Sequence, residues 1–94
     1  PEVTALFCYN DLLAMGAIHT FKELGVKVPE DVAVIGFDNI RFSAMTSPAL
    51  TTVHVDKYQI GKLAASTLLQ MLKNPDKTYP VQNVDIELIV RESA

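Results

Sequence analysis

Two aspartates stand where strand-like runs of the sequence end. Asp11 follows the apolar and aromatic run Thr4–Tyr9, and Asp38 follows the continuous apolar run Val32–Phe37. In an open parallel sheet, ligands bind beyond the carboxyl ends of the strands. A carboxylate at such a strand end can accept hydrogen bonds from two neighbouring hydroxyls of a sugar or nucleoside. The two aspartates are therefore the first candidates for ligand binding.

Both aspartates also have a purely structural interpretation. Asn10 is a favoured residue at a helix N-cap, and Asp11 would place a negative charge at the positive end of the helix dipole. Asp38 and Asn39 are residue types that favour turns. From spacing alone, the capping and turn interpretations are the stronger ones, and ligand binding is the alternative.

The remaining reactive residues form no pattern that predicts an enzyme. The serines and histidines lack the spacing of a nucleophile elbow or a catalytic pair. Cys8 lies inside the first strand-like run, where a cysteine usually behaves as a small buried hydrophobe. The glycines do not cluster into a phosphate-binding loop, and the two histidines and one cysteine are too dispersed for a metal site. We expect neither catalysis nor a cofactor nor a metal.

Composition limits the possible partners. The chain has 94 residues, a net charge of −3 and eight scattered Lys and Arg residues, so it lacks the cationic cluster that duplex DNA requires. The longest apolar run is far shorter than the roughly 20 residues of a transmembrane helix, and no signal peptide is visible. A single cysteine favours the cytoplasm. Because Pro1 leads almost directly into a strand, the chain is expected to begin inside a larger protein.

The elements that would position these residues alternate between strand and helix. Apolar residues at three- and four-residue spacing predict a first helix, Asp11–Leu24, which Gly25 would end in the left-handed C′ position. The run Val32–Phe37 suits a central strand buried on both faces. The pattern then predicts, in chain order, a loop at Arg41–Ser47, a strand at Leu50–Val55, a helix at Asp56–Lys73 and a strand at Val84–Val90. This order predicts an α/β fold with a mainly parallel sheet flanked by helices.

Each predicted helix has a face whose burial the sequence does not settle. On the first helix, Leu12 and Met15 lie opposite the core-facing stripe beside His19, either as ordinary surface or as a subunit contact. The second helix carries six apolar residues on one stripe, which are Ile60, Leu63, Ala64, Leu68, Met71 and Leu72. Leaving that stripe in water would forfeit roughly 10 kcal/mol. It must pack on the chain's own sheet or on a second copy, and the second copy is favoured.

Several segments, in the right order and over nearly the whole chain, resemble the LacI/GalR family of bacterial transcription regulators. The segments are Phe7–Ala17, Leu24–Asn39, Ser47–Val53, Gly61 with the helix Leu63–Leu72, and Leu88–Ser93. No single segment is specific, but the ordered set is. The resemblance implies a periplasmic-binding-protein-like fold of two α/β subdomains with an effector cleft between them.

The resemblance also implies a division of the chain. Residues 1–53 and 83–94 would belong to the C-terminal subdomain, and residues 54–82 would form the crossover and a helix of the N-terminal subdomain. The crossover or hinge residues would be Thr51, Thr52, Val53 and Val55. Many relatives carry a polar residue, often Gln, at the position of Val55, so the identity of the effector is left open.

The function implied is the effector-sensing and dimerisation part of a LacI-type regulator. Asp11, with Asn10, would bind a small sugar or nucleobase-type effector, and Leu12, Met15 and His19 would contribute to a homodimer. Operator DNA would be bound through an N-terminal domain absent from this chain. The alternative is a sugar-binding protein of an ABC uptake system, which shares the fold. Residues upstream of Pro1 would distinguish a helix-turn-helix from a signal peptide.

Overall fold

A computed structural model describes residues 2–94 and divides the chain into two compact units. The first unit extends to His54 and resumes with Glu87–Ala94, and the second unit is Val55–Ile86. The elements in chain order are β1 (Ala5–Phe7), α1 (Asp11–Glu23), β2 (Ala33–Ile35), a 3-10 helix (Arg41–Ala44), β3 (Thr52–Val55), α2 (Lys57–Lys73) and β4 (Ile86–Ile89). The assignment of these units to the subdomains of a parent fold stays a prediction.

The first unit is built on parallel strands. β1 and β2 pair in parallel with Leu6 opposite Val34, and β3 pairs with β4 in a second sheet. Parallel bridges from Ile35 to Thr51 and from Asp38 to His54 place the β3 segment along the other edge of β2. The predicted α/β fold with parallel strands is confirmed.

Helix α1 begins and ends on local signals. The side chain of Asn10 accepts a hydrogen bond from the amide of Leu13 at 2.9 Å and caps the first turn. At the other end, Gly25 adopts φ 75°. Its amide donates to the carbonyl of Lys22, and that of Val26 donates to the carbonyl of Phe21, which together form a Schellman motif.

The core lies between α1 and one face of the strands. Its buried members are Cys8, Ala14, Ile18, Val34 and Leu50. Leu24, the C-cap of α1, is 71% exposed. The expectation of a strand buried on both faces was wrong. The run around β2 is buried on one face only: Val34 is fully buried, whereas Ala33 and Ile35 are half-buried, because α1 covers a single face.

The second unit contains a long helix with no buried residue. Asp56 caps α2 by accepting a hydrogen bond from the amide of Gln59 at 3.0 Å, and the helix ends at Lys73 before the C-cap Asn74. Most of its apolar stripe is exposed, from 41% at Ile60 to 70% at Leu72. The stripe is therefore not buried within the single chain. No helix formed by residues 2–94 combines the length and apolar character needed to span a bilayer.

Candidate functional site

Asp11 lies at the centre of a buried polar cluster at the first turn of α1. Its side chain is fully buried. One carboxylate oxygen accepts a hydrogen bond from the hydroxyl of Thr52, and the other accepts one from the backbone amide of Ile40 at 2.8 Å. A buried carboxylate is tolerated when hydrogen-bond donors surround it. Asp11 thus ties the start of the helix to two segments that lie far away in sequence.

Gly36 allows that cluster to form. Its backbone approaches Asp11 so closely that an added Cβ would overlap the carboxylate oxygen Oδ1 and would lie 3.0 Å from a methyl group of Leu50. Only a residue without a side chain fits between the helix start and this strand. The amide of Gly36 donates to the carbonyl of Thr51 at 2.9 Å, which keeps the strands paired at this point.

The loop after β2 has an unusual backbone conformation. Asp38 and Asn39 have φ values of 110° and 53°, a region that side chains other than glycine adopt rarely and at an energetic cost. Three hydrogen bonds hold the loop: the amide of Asp38 donates to the carbonyl of Val53, that of Asn39 to the hydroxyl of Thr52, and that of Ile40 to Asp11. Its geometry therefore depends on the buried cluster.

An open cavity lies at the carboxyl ends of β1 and β2. Phe7, Tyr9, Phe37 and Asp38 line it, and its volume is about 410 Å³, within the range of about 300–1,000 Å³ that is typical of ligand sites. Phe7 is 64% and Tyr9 85% exposed. Aromatic faces beside one carboxylate suit a ring-shaped ligand with hydroxyl or N–H donors. Within residues 2–94, no group of three acidic, histidine or cysteine side chains could hold a metal ion.

Comparisons with known proteins show the family of this chain. A family model described as a periplasmic binding protein-like domain matches residues 1–94. The chain belongs to that family. It is part of the effector-binding domain of a LacI/GalR-type regulator.

Individual relatives are similar over nearly the whole chain. The HTH-type transcriptional repressor PurR of Aliivibrio fischeri is 46% identical over 96% of this chain and 27% of its own length. The structure of a LacI family transcriptional regulator from Enterococcus faecalis with bound ribose has a TM-score of 0.87 at 36% identity, over 99% of this chain and 35% of that one. The lac repressor dimer bound to operator and the anti-inducer ONPF has a TM-score of 0.84 at 30% identity, over 96% and 31%. The chain therefore spans about a third or less of these regulators.

The residues expected at the effector site lie close together at the start of α1, and their role in effector binding stays a prediction. Asn10 caps α1, and Asp11 lies in the buried cluster beneath the Asp38 loop. From the sequence, the aromatic residues of the cavity are placed in strands and are not proposed for ligand binding. The pattern that could have indicated such a role is an aromatic residue at the end of each strand: Phe7 and Tyr9 at the end of the first, and Phe37 at the end of the second.

The predicted crossover residues lie next to the point in the chain where the first unit ends and the second begins. Thr51, Thr52, Val53 and Val55 are all buried. The boundary falls immediately before Val55, inside the predicted crossover. The hydroxyl of Thr51 donates to the carbonyl of Ala94 and accepts from the amide of Arg91. A hinge role for this segment stays a prediction.

Of the predicted dimer residues, Leu12 is 68% exposed. Met15 is half-buried and packs against the core, so its expected position opposite the core-facing stripe was wrong. His19 is exposed beside Glu23, with 3.5 Å between its Nε2 and the carboxylate. Two residues that the sequence had placed in a loop add exposed apolar surface in the same unit, namely Phe42 and Met45. A contact role for this surface also stays a prediction.

Proposed function

We propose that this chain is the effector-sensing and self-association part of a LacI-type DNA-binding transcription regulator, and that its effector is a small sugar or nucleobase-type molecule. The observation that carries the proposal is the cavity at the strand ends, where aromatic side chains stand beside Asp38. The relative from Enterococcus faecalis is described with bound ribose, which supports a ligand of this chemical class.

In the proposed mechanism, the effector ring packs against the aromatic lining. The Asp38 carboxylate accepts hydrogen bonds from two of the ligand's hydroxyl or N–H groups. Hydrogen bonds to a charged group contribute about 1.5–3 kcal/mol each. Asp11 contributes to affinity through its hydrogen bond to the Ile40 amide, which holds the end of the loop that carries Asp38. Asn10 contributes by capping the helix on which Asp11 stands.

Asparagine substitutions test the two carboxylates. In the full-length regulator that contains this segment, we expect calorimetry to detect binding of at least one of three compounds: D-ribose, adenine and guanine. Asp38→Asn and Asp11→Asn should each weaken its binding by about tenfold or more, because a charge-assisted acceptor is lost. Asp76→Asn, at an exposed residue of the second unit, is the matched control. Unchanged affinity in both variants would contradict the proposed site.

Self-association is proposed through the outer face of α1. The two-fold symmetry of palindromic operators suits a homodimer, and the lac repressor relative is described as a dimer bound to operator. Changing Leu12 and Met15 to Lys should shift the full-length regulator toward monomer in sedimentation experiments. Because Met15 also packs against the core, circular dichroism checks that the variant folds, and Leu12→Lys alone should give a smaller shift in the same direction. Asp76→Lys, at an exposed residue of the second unit, adds comparable positive charge and serves as the control. A tight dimer in the double variant would show that this face is ordinary surface.

The remaining parts of the proposal concern the whole protein. We place it in the cytoplasm, bound to operator DNA through an N-terminal domain outside this chain, and without enzymatic activity. The relatives are named as transcription regulators, so the alternative of an uptake protein is not favoured. Sequencing the gene upstream of the codon for Pro1 decides between them. A helix-turn-helix supports the regulator, and a signal peptide would contradict it.

A further inference from the structure

Arg91 is a half-buried cation of the first unit. It lies just beyond β4, and its guanidinium donates three hydrogen bonds to neutral oxygens. The acceptors are the hydroxyl of Ser43 at 2.8 Å, the carbonyl of Leu50 at 2.9 Å and the side-chain oxygen of Asn39 at 2.8 Å. Such a planar group with several fixed donors can hold separate segments in one geometry.

The contact with Asn39 fixes the orientation of its amide. The Asn39 oxygen accepts from Arg91, and it shares the single hydroxyl hydrogen of Ser43, at 3.0 Å, with the carbonyl of Ile40, which lies closer at 2.7 Å. Because a guanidinium can only donate, the amide oxygen must face it. The amide nitrogen then points to Nδ1 of His54 at 3.0 Å. Because an amide nitrogen can only donate, Nδ1 of His54 is the acceptor of this hydrogen bond.

Asn39 is also one of the two loop residues with positive φ. A residue that is not glycine keeps this conformation only when its surroundings hold it. The Arg91 and Ser43 contacts do so on the side-chain oxygen, next to the cavity residue Asp38. Removing Arg91 takes away the only charged donor to the Asn39 oxygen among the contacts described, and leaves Ser43, His54 and the Thr52 hydroxyl as the remaining partners of this residue.

We infer that Arg91 is a positioning residue for effector binding. It holds Asn39 and thereby sets the direction of the Asp38 carboxylate in the cavity. This inference rests on the proposed function, since it assigns Arg91 to the same site. It also implies that a segment at the far end of the chain, which lines no part of the cavity, tunes affinity there.

The test uses the full-length regulator with Arg91→Met, Arg91→Lys, Asn39→Ala and the double variant Arg91→Met with Asn39→Ala. Arg41→Met, at an exposed arginine of the 3-10 helix, is the matched control. Calorimetry uses the ligand found among D-ribose, adenine and guanine. Thermal unfolding of each variant separates altered binding from lost folding.

Arg91→Met should weaken binding about tenfold, and Arg91→Lys should recover only part of this, because a single ammonium cannot reproduce the fork. Arg91→Met should have little further effect once Asn39 is Ala, since residues that act through one contact are not additive. Full additivity in this cycle would overturn the inference.

A second readout does not depend on any ligand. With selectively ¹⁵N-labelled histidine, Arg91→Met should change the Nδ1 resonance of His54, because the Asn39 amide no longer points at it. An unchanged His54 signal in Arg91→Met would overturn the inference whatever happens to binding. If the wild-type regulator binds none of the three probes, the proposed function fails, and the His54 signal still decides whether Arg91 orients Asn39.

Discussion

The two units of this chain use apolar residues in opposite ways. In the first unit, Ala14, Val34 and Leu50 are fully buried. In the second unit, helix α2 is longer than α1, yet none of its residues is buried. Both helices have a capped first turn and an apolar stripe, so their local signals are comparable. What differs is the partner: α1 has a sheet face to pack on, and the stripe of α2 has none within the second unit.

This difference shows that an amphipathic pattern predicts a helix better than it predicts what the helix packs against. Most helical stability in proteins comes from tertiary packing and less from propensity. α1 obtains that packing from residues of its own unit. The chain spans 27% of the length of a curated relative, and we expect the stripe of α2 to be covered only in a larger assembly, either the rest of a regulator or a second copy.

The largest expected change in stability is found by truncating one leucine in each unit and comparing the two. In the 94-residue chain, Leu50→Ala should lower the free energy of unfolding by about 2–5 kcal/mol, because it leaves a cavity in the core. Leu68→Ala, at a residue that is 56% exposed, should change it by no more than about 0.5 kcal/mol. Urea unfolding followed by circular dichroism measures both.

The same two variants can be compared in a full-length regulator. If the stripe of α2 is covered there, the loss of unfolding free energy caused by Leu68→Ala should rise toward that caused by Leu50→Ala. If Leu68→Ala is already costly in the isolated chain at concentrations where sedimentation shows a monomer, the contrast between the units is wrong.

Glycine substitutions probe the same contrast at the backbone. Gly36→Ala should destabilise the first unit by about 1–3 kcal/mol, because the added methyl group overlaps Asp11 and overpacks the site. Gly16→Ala and Gly61→Ala meet nothing within 4 Å and should stabilise their helices by about 0.5–1 kcal/mol. Thermal unfolding is the measurement. A tolerated Gly36→Ala would contradict the close approach of Asp11.

The two N-caps should behave differently although their hydrogen bonds match. Asn10→Ala should cost about 1 kcal/mol of global stability, because α1 unfolds together with its core. Asp56→Ala removes an equivalent cap from α2, but its effect should be confined to that helix. Amide hydrogen exchange distinguishes the two outcomes. The slowly exchanging amides of α1 should exchange faster in Asn10→Ala, and their exchange should be unchanged in Asp56→Ala.

The smallest effect concerns the thiol, since the sequence has one cysteine and it lies in the first unit. Burial raises the pKa of Cys8 above its ordinary value of 9.0. The unfolded chain therefore loses this proton at lower pH than the folded chain, and stability falls as pH rises above 9.0. Unfolding in urea between about pH 8 and about pH 10, measured for this protein and for Cys8→Val, gives the contribution of the Cys8 thiol to the pH dependence of stability. An identical pH dependence in the two proteins would contradict burial of the thiol.

Local chemistry explains which features could be predicted from the sequence. The ends of α1 follow from Asn10 and Gly25, whose preferences act within a few residues. The position of Asp11 and Asp38 at strand ends follows from the alternation of elements. The contact between Arg91 and Asn39 joins residues 52 positions apart, and no local pattern predicts it. The same holds for burial of the Asp11 carboxylate, which depends on Thr52 and Ile40 arriving from distant segments.

One feature of the first unit has a consequence for synthesis on the ribosome. Ser93 is fully buried; its hydroxyl donates to the carbonyl of Val34, and its carbonyl accepts from the amide of Val34. The first unit is therefore interrupted by the whole of the second, and its last pieces are translated after α2. Until they emerge, the backbone amide and carbonyl of Val34 lack their Ser93 partners and the Asp38 loop lacks Arg91. During translation, the first unit therefore stays incomplete until α2 and the residues that follow it have been synthesised.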